Sequence, residues 1–389
     1  MKQFIEGSMA VSQSVKLCRP DVIAAYPITP QTHIVEFLAQ IVANGELKTE
    51  FINVESEFGA ASVVLGAAAV GARAYSATTA QGLLLMAEVL YNIAGMRLPL
   101  VITIANRAVS APINIWNDHS DAVVIRDAGL IMLFAEDAQE LMDMHPQAYK
   151  IAENQEVSLP VTVNMDGFIL THCFEPVDML SQKQVDDFLP KFNPVVKLDL
   201  DNPVTMGCLA EPTWYTETRY KLKETMEDAL PIIDSTANDF KKLTGRYYGG
   251  LIDTYRMEDA ETAFVAMGSL VGTLKDVVDT LRAKGEKVGV LKIRSFRPFP
   301  HEKIREVCAN LKQLVVFDKS YSLGLGTILQ EELRGCFYRQ KNQPLISGFV
   351  VGLGGRDIPP ESLIESYKKA QKGEILNEFV DLRLDVVGR

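Results

Sequence analysis

Four short stretches hold the polar residues best placed to do chemistry: Ile28-Thr29, Glu55 to Glu57, Thr78 to Gln81, and Asn106-Arg107. Each follows an apolar run that reads as a β-strand: "DVIAAYP", "EFINVE", "ARAYSATT" and "LPLVITIAN". In an open parallel sheet, ligands bind beyond the carboxyl ends of the strands. The four stretches place a hydroxyl, carboxylates, an amide and one arginine there, in otherwise apolar sequence. Such a set suits a small anionic substrate. A helix N-terminus with a hydroxyl can receive a carboxylate, and a guanidinium fork can bind it with two parallel hydrogen bonds.

Each residue also has a purely structural reading. Thr29 is expected as the N-cap of a helix from about Gln31 to Ala43, with Pro30 at its first position, where a missing N–H is harmless. Arg107 could instead pair with Asp118 or Asp121. An acid in a first helical turn, Glu57 or Glu55, meets the helix dipole favourably. The helix after Glu57, "GAASVVLGAAAVGA", is almost entirely small residues, so it could pack closely on the sheet or on another subunit.

The elements that must position these residues alternate regularly. After the four strands come "LIMLFA" and "LPVTVNM", with the helix "DAQELMDMHPQAYKIAEN" between them, which predicts a mainly parallel, doubly wound sheet. From about Pro194 to Arg256 the pattern weakens into a linker with one helical run, expected to break at Pro231. Alternation resumes with "TAFVAMG", "KVGVLKIR", "QLVVFD" and "ISGFVVG". The expected division is a first α/β domain over 1–195, a linker with a helical portion over 196–258, and a smaller α/β domain over 259–389.

Composition narrows the function. The chain has 389 residues and a formal net charge of −11, with no Lys/Arg-rich block, which argues against nucleic acid or an anionic membrane as partner. No apolar run reaches the ~20 residues of a spanning helix, and the N-terminus lacks a signal-type apolar core, so a cytoplasmic protein is expected. The five cysteines are scattered without a C-x-x-C pair, and the five histidines show no metal-ligand spacing. Buried thiols are expected, and no metal site.

Five motifs together carry a resemblance: "YPITP" (Tyr26 to Pro30), "ESEFGAASVVLGAAAVGARAYSATTAQGL" (Glu55 to Leu83), "NRAVSAPINIWNDHSD" (Asn106 to Asp121), "DGFILTH" (Asp166 to His172) and "GLGGRDI" (Gly352 to Ile358). They span most of the chain, and the first and third are the specific ones. The chain resembles the α-subunit type of the pyruvate:ferredoxin oxidoreductase (pyruvate synthase) branch of the 2-oxoacid:ferredoxin oxidoreductase family. That resemblance implies a doubly wound pyrimidine-binding domain of the thiamine diphosphate type, plus a smaller transketolase C-terminal-like α/β domain. It implies oxidative decarboxylation of pyruvate with coenzyme A to acetyl-CoA and CO₂, two electrons passing singly to ferredoxin. By its place in "SEFGAA", Glu57 matches the family's cofactor-activating glutamate, Glu55 being the weaker match. Ile28 falls with Glu57 on the cofactor side, and Thr29 and Arg107 match the substrate carboxylate clamp. Asn117, Asp118 and His119 lie on the loop that follows Arg107, expected to close near the site, with no chemical step assigned.

Two absences shape the expected assembly. There is no G-D-G with a paired-asparagine segment to hold a metal–diphosphate group, and no cysteine run for an iron–sulfur cluster. The resemblance therefore implies a β subunit carrying the diphosphate and Mg²⁺, with γ and ferredoxin-like δ subunits supplying [4Fe-4S] clusters and completing coenzyme A binding, in a dimer of heteromers. Rival readings are another 2-oxoacid (2-oxoisovalerate or 2-oxoglutarate) and a non-catalytic scaffold subunit. A nucleotide-binding dehydrogenase is disfavoured because "PITPQT", not G-x-G-x-x-G, follows the first strand.

Overall fold

A computed structural model describes residues 2–388. Its first sheet has six parallel strands in the spatial order Ile131–Phe134, Val161–Asp166, Val101–Asn106, Ala74–Thr78, Val22–Ala25, Glu50–Asn53. A seventh, Ser295–Arg297, comes from far along the chain and pairs antiparallel with Ile131–Phe134 at one edge. The six parallel strands are those the alternation predicts.

Side chains along these strands point alternately to two different cores. Ile23, Tyr75 and Val101 face one core, built with the helices Gly7–Cys18, Thr32–Ala43 and Ala138–Ala152. Ala24, Ala74 and Ile102 face the other, built with Glu57–Ala69 and Ala80–Gly95. Apart from the largely exposed edge strand Glu50–Asn53, the strands are buried on both faces, hence the near-continuous hydrophobic runs in the sequence. The N-terminal helix and the short antiparallel pair Lys2–Glu6 with Phe174–Asp178 are not foreseen by the sequence reading.

The second sheet runs in the order Glu378–Phe379, Leu345–Val350, Gln313–Asp318, Thr262–Ala266, Val288–Ile293, Ile252–Tyr255, only the last strand being antiparallel. One face of it, with Val265, Leu291 and Val316, joins the same core as Ala24 and Ile102. The other, with Phe264, Val290 and Phe317, closes on the helices Leu270–Arg282 and Pro360–Ala370. One hydrophobic core is thus shared between the two sheets.

The helical run in the linker is a single helix, Pro212–Thr244, and Pro231 does not end it. A proline inside a helix costs about 3 kcal/mol. Pro231 lies on the exposed side, while Leu222, Ala229, Ile233 and Phe240 bury the opposite stripe against the first core. Burying four such side chains returns roughly 1.5–3 kcal/mol for each large one, so packing on both sides of the proline outweighs it.

Candidate active site

The four sequence-predicted stretches end adjacent strands of the first sheet, so they form one continuous edge. Glu57 sits at the first position of the helix Glu57–Ala69. Ser56 caps that helix: its hydroxyl accepts the Gly59 N–H at 3.1 Å. The cap fixes where the helix starts and so turns Glu57 inward, 6% exposed, whereas Glu55 stays on the surface. This separates the two carboxylates that the sequence left as alternatives. No hydrogen bond reaches the Glu57 carboxylate from the described residues. It rests against Gly82, where a Cβ atom would lie only 2.6 Å from its Oε1. Gly82 is therefore the cradle for Glu57, a role the sequence reading missed.

The turn at Tyr26 to Gln31 differs from the expectation. Thr29 is not an N-cap and Pro30 is not the first helical residue, because the helix begins at Thr32 with Gln31 preceding it and no side-chain cap. Gln31 closes the turn instead. Its backbone N–H donates to the Ile28 carbonyl at 2.8 Å, and its Oε1 accepts the Ile28 N–H at 3.2 Å. Its Nε2 donates to the Ala77 carbonyl at 2.7 Å, fastening the turn to the neighbouring strand. Thr29 is left exposed at the tip, its hydroxyl making no hydrogen bond with the described residues, and Ile28 is half-buried beside it.

Arg107 is 6% exposed, and burial lowers its pKa from the usual arginine value. Its Nη1 donates to the Thr29 carbonyl at 2.7 Å, its Nη2 to Gln81 Oε1 at 3.3 Å, and its Nε to the Asn114 carbonyl at 3.0 Å. Thr29 and Arg107 thus meet, through the Thr29 backbone. A guanidinium has five N–H donors, so two remain for a ligand. The salt bridge to Asp118 or Asp121, the alternative reading of Arg107, is absent among the described residues. Asp121 binds the Arg107 backbone N–H instead, at 3.0 Å. Asp121 also accepts from Ala80 N–H at 2.9 Å, Asn106 Nδ2 at 3.0 Å and Ala122 N–H at 2.7 Å. Burial pushes its pKa up to about 6 despite these four donors, with Asp118 adding slightly to the rise. Ala80, at φ +41°, is a non-glycine residue in the left-handed region. Its N–H is one of the groups Asp121 holds, and such a conformation persists only where the surroundings over-determine it.

Buried polar atoms without a partner among the described residues cluster along the same edge: Thr78 Oγ1, Gln81 Nε2, Asn106 Oδ1, Asn117 Oδ1 and His119 Nδ1. Buried polar groups are normally satisfied, so this cluster marks an edge built to meet something.

The loop after Arg107 folds back through Ala108 N–H to the Trp116 carbonyl, 3.0 Å, and then docks on the second sheet. His119 Nε2 donates to Asp166 Oδ1 at 2.6 Å. Asp166 also accepts from Lys319 Nζ at 2.8 Å and from the Ser269 hydroxyl. Burial opposes charge on Asp166, but the Lys319 ammonium and His119 hold its carboxyl far below the usual range. Asp118 Oδ2 accepts the Gly354 N–H at 3.1 Å, and the Asn117 carbonyl accepts that of Gly355 at 2.7 Å. The "NIWNDH" and "GLGGRDI" motifs are therefore two halves of one seam between the sheets.

Two family models match the chain: pyruvate flavodoxin/ferredoxin oxidoreductase, thiamine diphosphate-binding, over residues 13–238, and pyruvate:ferredoxin oxidoreductase core domain II over residues 260–363. The pyruvate synthase subunit PorA of Methanosarcina barkeri is 54% identical over 98% of this chain and 97% of its own length. The ketoisovalerate oxidoreductase subunit VorA of Pyrococcus horikoshii is 41% identical over 98% of this chain and 97% of its own length. Among solved structures, the 2-oxoglutarate:ferredoxin oxidoreductase of Magnetococcus marinus superposes with a TM-score of 0.69 at 18% identity. It covers 95% of this chain, which spans 65% of that longer one. With one family model covering more than half its length and relatives this similar end to end, the chain belongs to the pyruvate flavodoxin/ferredoxin oxidoreductase family.

Proposed function

We propose that this chain is the α subunit of a pyruvate:ferredoxin oxidoreductase, converting pyruvate and coenzyme A to acetyl-CoA and CO₂ while two electrons pass singly to ferredoxin, or running in reverse as a pyruvate synthase. The observation that carries this is the meeting of Arg107, Thr29 and the Glu57 cradle on one sheet edge lined with unpartnered polar atoms.

The residues present fit the pyrimidine half of thiamine diphosphate. Glu57 offers a nearly buried carboxylate with no competing hydrogen bond from the described residues, and Ile28 offers a half-buried apolar side chain after the adjacent strand. When bound, thiamine diphosphate supplies the electron sink that decarboxylation of a 2-oxoacid requires. The protein's share is binding and placement. Glu57 would hold or move a proton at its own carboxylate toward the bound cofactor. Arg107 offers its two remaining N–H groups, and Thr29 its hydroxyl, to the substrate carboxylate. Desolvation strengthens that pairing.

The division into a pyrimidine-binding unit (1–195), a connecting segment (196–258) and a transketolase C-terminal-like unit (259–389) accords with this reading. In it a β subunit brings the diphosphate and Mg²⁺. The γ and δ subunits bring [4Fe-4S] clusters and the remainder of the coenzyme A site. The whole is a cytoplasmic dimer of heteromers.

In the assembled complex, Glu57→Gln should lower kcat by about 10²–10⁴-fold, the range for a group that moves a proton in the reaction. Turnover at the wild-type rate would leave the chain a scaffold. The relative that acts on ketoisovalerate makes 2-oxoisovalerate the competing substrate, so turnover of pyruvate, 2-oxoisovalerate and 2-oxoglutarate should be compared. A higher kcat/KM for either rival would move the assignment to that acid.

A further inference from the structure

Arg107 is held by three carbonyl-type oxygens, and two of them belong to its own neighbourhood on the sheet edge, Thr29 and Gln81. The third is the carbonyl of Asn114, inside the loop that leaves the sheet. Asn114 has a second attachment. Its side-chain Nδ2 donates to the Gly354 carbonyl at 3.0 Å, across 240 residues of sequence, while its Oδ1 accepts the Trp116 N–H at 2.8 Å. The second domain leaves no slack at this contact. Gly354 has φ +59°, and a Cβ there would lie 2.5 Å from Asn114 Nδ2. Gly355, at φ +79°, is packed against Trp116 just as closely. Only glycine adopts such backbone readily, and only glycine admits the loop to this distance.

We infer that Asn114 is a positioning residue for the substrate arginine: gripped by Gly354 of the second domain, it holds the Arg107 guanidinium at the angle that binds the 2-oxoacid carboxylate. The second domain then acts on substrate binding without touching substrate. The inference rests on Arg107 being the carboxylate clamp. The peptide carbonyl of Asn114 survives any substitution of its side chain. What a variant removes is the grip on Gly354, and with it the fixed direction of that carbonyl. A 1 Å misplacement of a positioning group is enough to change rates or affinities markedly.

The experiment uses the assembled complex with Asn114→Ala, Gly354→Ala, Arg107→Ala and the double variant Asn114→Ala/Arg107→Ala. It measures pyruvate KM, kcat and thiamine diphosphate affinity by fluorescence titration. Expected are a roughly tenfold higher pyruvate KM in both Asn114→Ala and Gly354→Ala, a smaller change in kcat and unchanged cofactor affinity. Adding Asn114→Ala to Arg107→Ala should raise KM no further, because the two act as one unit. An unchanged KM in the single variants, or an equal rise when Arg107 is already gone, overturns the inference. Should Gly354→Ala fail to assemble, Asn114→Ala decides the matter alone by the same KM criterion. Failure of the clamp itself looks different: Arg107→Ala would leave pyruvate KM unmoved.

Discussion

Glu57 and Arg107 stand at the two ends of one four-strand stretch of sheet edge, yet they are built in opposite ways. The Glu57 corner is local. A capping serine, a helix start and one glycine on the adjacent helix set its position. The Arg107 corner is collective. Its guanidinium is tied to residues 78 positions upstream and 26 upstream, and to a loop that is itself gripped 240 positions downstream. The difference matches the work proposed for each. A proton-holding carboxylate needs a fixed place against a rigid ring. A carboxylate clamp needs direction, and several converging ties supply that better than one.

The largest effect that would break this comparison is expected at Gly82. In Gly82→Ala the new Cβ would fall 2.6 Å from Glu57 Oε1 and 2.7 Å from Thr78 Oγ1, so the Glu57 carboxylate must move. Position 82 lies inside the helix Ala80–Gly95, where alanine is favoured over glycine by about 1 kcal/mol. That gain offsets part of the roughly 1–3 kcal/mol that overpacking costs, so the variant should fold and assemble with a modestly lowered melting temperature. Its kcat should fall about 10–100-fold, the scale of a displaced catalytic group, with pyruvate KM little changed. A fall in KM-governed rates alone would show that the two corners are not separable.

Asp121 sharpens the other side. It fixes the backbone of Arg107 from beneath, and burial raises its pKa to about 6. A raised carboxyl pKa means ionised at pH 7 and protonated as pH falls through 6. On protonation one oxygen becomes a donor facing N–H donors, and a tie is lost. Pyruvate KM should then rise by roughly tenfold between pH 7 and pH 5, the scale of losing one hydrogen bond to a charged group. In Asp121→Asn the KM should be high and flat over the same range. A flat profile in the parent complex would detach Asp121 from the clamp.

The same contrast decides what could be read from sequence. Strand–helix alternation and the apolar runs carried the six parallel strands of the first sheet, since burial on both faces writes itself into composition. Glu57 was legible beside Glu55 as a helix-opening acid, although only the Ser56 cap shows which of the two turns inward. Arg107 was legible as a strand-end cation. Its partners were not, because main-chain carbonyls at Thr29 and Asn114 leave no mark on residue type. Gln31 was hidden for a related reason: a glutamine that closes a turn through its amide looks like any helix residue. The seam formed by His119, Asp166, Lys319 and Gly354 joins four distant segments, and no local periodicity encodes it. Pro231 misled because a local rule met a helix held by packing along its whole length.

Thr29 is the smallest test and the most discriminating for the turn. Reading it as a cap would make Thr29→Val a stability variant. In the structure the helix starts three residues later and Gln31 closes the turn, so the hydroxyl holds nothing up. The carbonyl that grips Arg107 is backbone and survives the substitution. Thr29→Val should therefore leave the melting temperature of the complex unchanged. It should raise pyruvate KM by about threefold, within the range of one hydrogen bond to substrate, and Thr29→Ser should restore it. A lowered melting temperature with an unmoved KM would return Thr29 to a structural role and leave Arg107 as the clamp without its hydroxyl partner.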